Sequence, residues 1–355
     1  MKNARLRAYG PADLDDASEP RWLLGPESVA WTILLTPWVP VIGGLRTLAV
    51  EALEPHSMRG VVDHSDYLER PMNRLQRTAA YVAASALGTV EEAERMARLV
   101  RSIHERVRGH DPVTGRDYSA DDPDAQIWVH TVQWYSYLVA HRVFVGGLTA
   151  EDEDRYMAEG VPIAALVGAP AARVPSSVAH ARAYFAEVRP RLCLTDGAVE
   201  AIRFVTGRRR PTSFEQLYVL PGTRLLGGAA VATIPSDLRR LMGVEGSRAG
   251  DAATIAAVRA ALPVLKHIPI AGIVSGDVGT GYFKRAVAAR RADAGDSATS
   301  SRAPSSAASS PSRPALRSVQ RPPARSASSA ATARASTTGP SRDQTDVPRR
   351  TRSRR

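Results

Sequence analysis

The chain has 355 residues, 44% of them hydrophobic, which is enough to build one large domain or two ordinary ones. Its net charge of +11 is unevenly distributed. Residues 291–355 contain 13 arginines and 4 aspartates, a net charge of +9, which leaves only +2 for residues 1–290. The basic character therefore belongs to the C-terminal part of the chain, and the remainder is nearly neutral.

Cys193 is the single cysteine, so the chain has no internal disulfide, no cysteine-rich zinc site and no paired-cysteine motif for covalent haem. A reducing cytoplasm fits this composition best. The first five residues run into Asp13, Asp15 and Asp16 without an apolar segment, so the sequence shows no signal peptide. We therefore expect a cytoplasmic protein.

The longest uncharged run extends from Ser28 to Leu45 and is at the lower limit of length for a membrane span. Pro37, Pro40 and the Gly43-Gly44 pair interrupt it. These residues favour broken, buried helix pieces over a continuous span. We predict that the run packs inside the domain and that the protein has no membrane span.

Helix signals follow one another along the chain. Pro71 is placed to open a helix that ends at Gly88. Thr89-Val90-Glu91-Glu92 is a capping box for the next helix, predicted to continue to Gly109. Further helices are predicted from Asp122-Pro123 to Gly146-Gly147, after Thr149, after Pro175-Ser176, and over residues 196–205, 214–220, 236–242 and 254–262. Strand and helix patterns do not alternate, so the sequence predicts an all-α fold.

From Arg291 onward the chain is rich in Ser, Ala, Pro and Arg and contains no Phe, Trp or Tyr. Such a segment cannot bury enough apolar surface to offset its ordering entropy, about 1–2 kcal/mol per residue for the backbone alone. The predicted organisation is an N-terminal extension over 1–19, a helical domain over 20–290 and a disordered tail over 291–355. Limited proteolysis is expected to trim this tail.

Short fragments between Gly25 and His130 carry a family likeness by their order and spacing. They are Gly25-Pro26-Glu27-Ser28-Val29-Ala30-Trp31, Ala52-Leu53-Glu54-Pro55-His56, Gly60-Val61-Val62-Asp63-His64-Ser65, Arg74-Leu75-Gln76-Arg77-Thr78, His104-Glu105-Arg106-Val107-Arg108-Gly109, Tyr118-Ser119-Ala120-Asp121-Asp122-Pro123 and Trp128-Val129-His130. Together they resemble the catalytic domain of the bacterial MpaB-type oxygenases and the latex-clearing, rubber-cleaving proteins. A weaker likeness extends the similarity over most of residues 20–245.

The resemblance implies a single globin-like helical domain that binds haem b and uses dioxygen. In the haem-binding members an Arg-x-x-x-Thr pair and a downstream histidine form the signature, and that histidine is the proximal iron ligand. The matching residues are Arg74, Thr78 and His104. The resemblance thus implies Arg74 and Thr78 as catalytic and cofactor-binding residues and His104 as the ligand of the haem iron.

The chemistry of these residue types agrees with such roles, although each has a plainer explanation. Arg74 and Thr78 are four residues apart and share a helix face, where they could hold a haem propionate or a neighbouring helix end. A neutral His104 at a helix end can offer a ring nitrogen to iron. Alternatively, His104 is a structural histidine, Arg74 is a solvated charge, and the Thr78 hydroxyl bonds back to its own helix.

Other histidines leave further alternatives. His130 and His141 lie about three helical turns apart on one face, which predicts either a cavity wall with a cofactor-binding His130 or an ordinary core stripe; for His141 we prefer the core stripe. His56 and His64 lie in turn-like sequence contexts and are interpreted as residues that fix loops over the cavity.

The chain departs from the rubber-cleaving members at two places. They have a lysine directly before the threonine that can cap the iron, whereas this chain has Arg77, and arginine does not ligate metals. They also use an upstream glutamate as a base, for which Glu51 and Glu54 are the nearest candidates, with Met58 in the expected neighbourhood. Rubber cleavage itself is therefore not the function we expect.

The resemblance implies a haem b-dependent oxygenase that acts with dioxygen, and the apolar helices suit an apolar small-molecule substrate, such as one with an isoprenoid double bond. One alternative is a helical binding or scaffold module of the same fold without haem chemistry. A nucleic-acid or acidic-surface binder acting through the Arg-rich tail ranks lower, because the tail lacks interleaved aromatic residues.

Overall fold

α-Helices make up most of the described residues, which confirms the predicted all-α fold class. The computed structural model describes residues 9–12, 20–67, 69–211, 214–267 and 270–300. They all fall in one compact unit, residues 1–303. Most of the predicted extension over 1–19, and residues 301–355 of the predicted tail, lie outside the described part of the chain.

The helices in this part of the chain are α1 Val29–Leu35, α2 Val39–Glu51, α3 Pro55–His64, α4 Pro71–Leu87, α5 Val90–His104, α6 Pro123–Phe144, α7 Ala150–Leu166, α8 Val178–Val188, α9 Asp196–Val205, α10 Phe214–Ala232, α11 Ser236–Leu241, α12 Arg248–Leu265 and α13 Ile270–Ser300. A hairpin of two short antiparallel strands, β1 Arg108–Asp111 and β2 Arg116–Ser119, lies between α5 and α6.

The centre of the core is the close packing of α2 along α6. Gly43 makes this approach possible, because a Cβ at that position would lie 2.5 Å from Cδ1 of Tyr137. One turn further along α2, the buried Arg46 donates from Nη1 to Ser136 Oγ over 2.7 Å. α2 and α6 therefore form a fixed frame on which the other helices are placed.

The uncharged run from Ser28 to Leu45 forms α1 and the start of α2, which meet at an angle of 94°. Trp38 takes a left-handed conformation with φ of 68° at the bend, and Trp31 and Ile33 are fully buried. The run is thus broken and packed inside the unit, as its prolines predicted. No single helix among the described residues is long and apolar enough to cross a membrane, although α1 and α2 taken together satisfy the length and composition criteria as a bent pair.

The predicted caps of α5, α6 and α7 are present. Thr89 accepts from the backbone of Glu92 while the Glu92 carboxylate accepts from the Thr89 N–H, so the capping box at the start of α5 is confirmed. Asp122 caps α6 and Thr149 caps α7 in the same local way. Each cap satisfies backbone N–H groups that the first helical turn leaves without partners.

The region after α5 differs from the prediction. The helix was predicted to continue to Gly109, but it ends at His104, and the chain then forms the β hairpin. Asp111 makes the turn by accepting from the N–H groups of Val113 and Thr114, and Gly115 follows with φ of 67°. Local side-chain-to-backbone bonds of this kind compete with helix formation.

The sequence context of His56 and His64 is turn-like, but both residues lie in helix α3. Glu54 caps α3 by accepting from Ser57 N–H over 2.7 Å, and Pro55 occupies the first helical position. Pro at that position is compatible with a helix, since its missing N–H needs no partner there.

Two C-terminal helices are longer than predicted, and α13 was not predicted. The segments predicted over 214–220 and 254–262 are parts of α10 and α12. α13 continues to Ser300, so the first ten residues of the predicted tail, 291–300, are helical, and Arg290 within α13 donates to the carbonyl of Pro26 over 2.9 Å.

Candidate active site

A cavity of about 360 Å³ lies where α3, α4, α5, α6 and the β hairpin face one another. Arg74, Thr78, His104 and His130, the four site residues that the sequence predicted, all line this cavity. Helices that are distant in sequence thus bring together the Arg-x-x-x-Thr pair, the histidine that follows it and the Trp-Val-His fragment.

Helix α4 contributes one face to the cavity through Arg74, Arg77, Thr78 and Tyr81, which follow the spacing of a single helical stripe. Among the described residues the Thr78 hydroxyl has no hydrogen-bond partner, so it does not bond back to its own helix as the alternative interpretation proposed. Burial raises the pKa of Tyr81 to about 12, so its phenol stays protonated at neutral pH. This stripe therefore offers two cations and two hydroxyl groups.

The guanidinium of Arg74 is held in a specific environment. Its Nη1 donates to Ser65 Oγ over 3.3 Å, and its charge lies 5.8 Å from the ring centroid of Tyr67. Burial lowers the pKa of Arg74, and the carboxylate of Glu51 acts in the opposite direction. Arg74 is therefore a positioned cation in the cavity wall and not a freely solvated charge.

Helix α5 ends at His104, which lines the cavity together with apolar side chains of the same helix, Met96, Leu99, Val100 and Ile103. The Nδ1 atom of His104 is buried and has no hydrogen-bond partner. Burial lowers the pKa of His104, with a smaller opposing effect of Asp121. At neutral pH the imidazole is therefore uncharged, which is the form that can donate a nitrogen lone pair.

Glu51 supplies the acidic group of the cavity. It is the last residue of α2, and burial raises its pKa, an effect that the nearby charge of Arg74 partly offsets. Trp128 on α6 donates from Nε1 to the Glu51 carbonyl over 3.3 Å and so fixes the end of α2. Glu54, the other candidate from the sequence, is engaged in capping α3. Of the two, Glu51 is the glutamate that lines the cavity.

His130 on α6 forms the opposite wall. Its ring stacks on Trp134 at 5.7 Å between centroids, and Trp134 stacks in turn on Tyr156 at 4.7 Å. Burial alone lowers the pKa of His130 to about 4. A Cβ at Gly160 would lie 3.0 Å from Nε2 of His130, so α7 closes tightly behind the stack. His141 does not line the cavity, and it agrees with the core interpretation preferred for it.

The hairpin side of the cavity carries polar residues, including His56 and His64, which were predicted to fix loops over the cavity, and Tyr118, which was not singled out from the sequence. The hydroxyl of Tyr118 donates to Asp63 Oδ2 over 2.7 Å and lies 3.1 Å from Nε2 of His64. Nε2 of His56 lies 2.8 Å from Oγ1 of Thr114. His56, His64 and Tyr118 all line the cavity. Asp111-Pro112 and Gly115 are typical turn residues, and they are the feature of the sequence from which this hairpin could have been predicted.

These residues fit a haem. Among the described residues, no three His, Cys, Asp or Glu side chains converge as a metal-binding group. A haem brings most of its iron's donor atoms itself, and the uncharged His104, whose Nδ1 has no hydrogen-bond partner, would be the side chain available to ligate that iron. Arg74 would pair with a propionate, and the apolar face of α5 suits the macrocycle.

Comparison with known proteins agrees with this arrangement. The family model described as "ER-bound oxygenase mpaB/B'/Rubber oxygenase, catalytic domain" matches residues 31–266, which include α2 to α12 and all the cavity residues discussed above. No curated protein and no solved structure gave a match. The match covers well over half of the chain, and the protein therefore belongs to the mpaB/rubber oxygenase catalytic-domain family and is an oxidoreductase of the oxygenase type.

Proposed function

We propose that the protein is a haem b-dependent oxygenase that acts with dioxygen on an apolar small molecule, such as one with an isoprenoid double bond. The observation that carries the proposal is His104, whose Nδ1 is buried without a partner at the edge of the cavity that also holds Arg74 and Thr78. A buried polar atom without a partner costs about 1–3 kcal/mol, and coordination to iron would remove that cost.

In this proposal His104 is the proximal ligand, and Arg74 and Thr78 hold the cofactor from α4. The haem, when bound, supplies dioxygen activation, which amino-acid side chains cannot provide. The apolar residues Leu99, Val100 and Ile103 exclude water and receive the hydrocarbon part of the substrate. Apolar walls with a few placed polar groups are typical of small-molecule sites.

The proton-carrying group of the site would be Glu51. Its raised pKa brings the carboxyl closer to neutral pH, where a general acid or base works best. Arg74 limits that rise, so the pair sets the protonation state of Glu51. His130 stays neutral above about pH 4 and offers a polar contact from the opposite wall.

Arg77 is the residue that argues against rubber cleavage as the activity of this protein. In the family pattern described above, rubber-cleaving members place an iron-capping lysine at this position, and an arginine keeps its proton and cannot take that role. We therefore propose a substrate other than polyisoprene. We also propose a cytoplasmic setting, because the single cysteine needs no oxidising compartment.

The test is haem binding by variants of the cavity histidines. Purified protein, expressed with adequate haem supply, is expected to contain one haem per chain and a Soret absorbance band. His104→Ala is expected to lose stoichiometric haem while its far-UV helicity stays intact, and added imidazole should restore binding by filling the vacated ligand position. Arg74→Ala is expected to weaken haem retention without changing the spectral type of the iron.

His141→Ala is the matched control, since His141 is also a buried histidine of low pKa but lies outside the cavity. It should bind haem normally. If His104→Ala still binds one haem with an unaltered spectrum, the ligand is a different residue, and His130 is the next candidate. A colourless wild-type protein would instead favour a binding module without haem chemistry.

A further inference from the structure

The charged side chains that line the cavity are out of balance. Among the described residues, two arginines line it, Arg74 and Arg77, against one acidic side chain, Glu51. Burial raises the pKa of Glu51 and so favours the protonated, uncharged form of that carboxyl group. The cavity therefore has a positive excess that an anionic ligand would neutralise.

The two arginines differ in their surroundings. Arg74 is half-buried and already contacts Ser65 and the ring of Tyr67. Arg77, three residues later on the same face of α4, is exposed and has no hydrogen-bond or ion-pair partner among the described residues. Its charge repels that of Arg74 and thereby contributes to the lowered pKa of Arg74. Arg77 thus presents a guanidinium without a described protein partner where the cavity meets solvent.

The chemistry of a suitable ligand follows from the other residues that line the cavity with Arg77. Helix α5 lines the same cavity with Leu99, Val100 and Ile103, a continuous apolar surface. A planar guanidinium binds a carboxylate through two parallel hydrogen bonds, and a hydrocarbon chain suits the apolar wall. One molecule that satisfies both is an apolar chain ending in a carboxylate.

We propose that Arg77 anchors the carboxylate of an amphipathic acid, so that the substrate class is a long-chain carboxylic acid with its hydrocarbon directed along α5. This inference rests on the proposed function for the oxygen chemistry, but not for the binding. A haem propionate is the other carboxylate that could pair with an arginine here. The two carboxylates differ in how often they leave the protein. A resident cofactor suits the half-buried Arg74, and a substrate that binds and dissociates suits the exposed Arg77.

Equilibrium dialysis with dodecanoate and 1-dodecanol as matched probes tests the proposal, because the two differ mainly in the charge of the head group. The wild-type protein, with haem and after haem removal, is expected to prefer dodecanoate by about tenfold, as for one charge-assisted contact. Arg77→Gln should bind both probes alike, while Arg77→Lys should retain part of the preference. Arg101→Gln is the control, since Arg101 is exposed on α5 but lies outside the cavity.

Haem content, measured on the same variants, separates the two sources of carboxylate. Unchanged haem content in Arg77→Gln, together with loss of the acid preference, supports the proposal. Loss of haem from Arg77→Gln in a protein that shows no acid preference would assign Arg77 to a propionate and overturn it. Because the dialysis also works on haem-free protein, an acid preference in a chain that never binds haem would refute the proposed cofactor and leave this inference standing.

Discussion

His130 shows how burial of one side chain affects the stability of the molecule. Its pKa is about 4, and burial is the only cause of the shift. In the unfolded chain the pKa is near 6.5, so between about pH 6.5 and 4 the unfolded state takes up a proton that the folded state does not. The free energy of unfolding therefore falls as the pH falls through this window, by up to about 3 kcal/mol from this group.

We predict that His130→Gln reduces this loss, because glutamine takes up no proton in either state. Urea denaturation of wild type and variant at several pH values from 7 to 4 measures it. His180→Gln, a change at an exposed histidine of α8, should leave the pH dependence as in the wild type. An equally steep acid loss in His130→Gln would show that other groups cause it.

The site residues differ in how far sequence can predict them. Arg74, Thr78 and His104 stand in short, ordered motifs, and the structure places them on one cavity. Glu51 remained one of two candidates, because the choice depends on where the ends of α2 and α3 lie relative to α4. That placement is made by long-range contacts such as the bond from Trp128 to the Glu51 carbonyl, 77 residues away. No local pattern reports such a contact.

At the scale of elements, the β hairpin is tied to α3 by side-chain contacts. Tyr118 is buried, and its hydroxyl bonds to Asp63, which also pairs with Arg59. We predict that Tyr118→Phe weakens this tie by about 1.5–3 kcal/mol, the usual value of a hydrogen bond to a charged acceptor. Amide hydrogen exchange should become faster in residues 108–119, while α2 and α6 keep their protection.

His110→Ala serves as the comparison for the hairpin. His110 pairs with Asp117 on the same hairpin, but both side chains are exposed, and such pairs contribute little. In His110→Ala the amide hydrogen exchange of residues 108–119 should match that of the wild type. If Tyr118→Phe left the exchange of the hairpin unchanged, the contact with α3 would not be what holds it.

Elements with local signals were predicted well, and those without them were not. The caps at Thr89, Asp122 and Thr149 act within one helical turn, and the sequence alone identified them. The strands of the hairpin, Arg108–Asp111 and Arg116–Ser119, are mostly polar and exposed, so they lack the apolar alternation that marks a strand. α13 was overlooked because its small residues and Gly276 weaken every helical signal that it has.

For the whole molecule, the uneven charge leads to a further prediction. Residues 301–355 contain 12 arginines and 2 aspartates, so a chain ending at Ser300 has a net charge of +1 in place of +11. We predict that this shortened chain unfolds at the same urea concentration as the full protein and elutes from a cation-exchange column at much lower salt. A lower unfolding midpoint would show that the removed residues stabilise the helical unit.

The packing of α2 on α6 has a consequence for how the chain folds as it is made. Arg46 and Ser136, which bond across this pair, are 90 residues apart. At a synthesis rate of roughly 5–20 residues per second, α2 leaves the ribosome about 5–18 seconds before its partner. During that interval the uncharged run from Ser28 to Leu45 has no α6 to cover it. The newly made chain is therefore most prone to aggregate in mid-synthesis, and we expect chaperones that hold apolar segments to bind it at that stage.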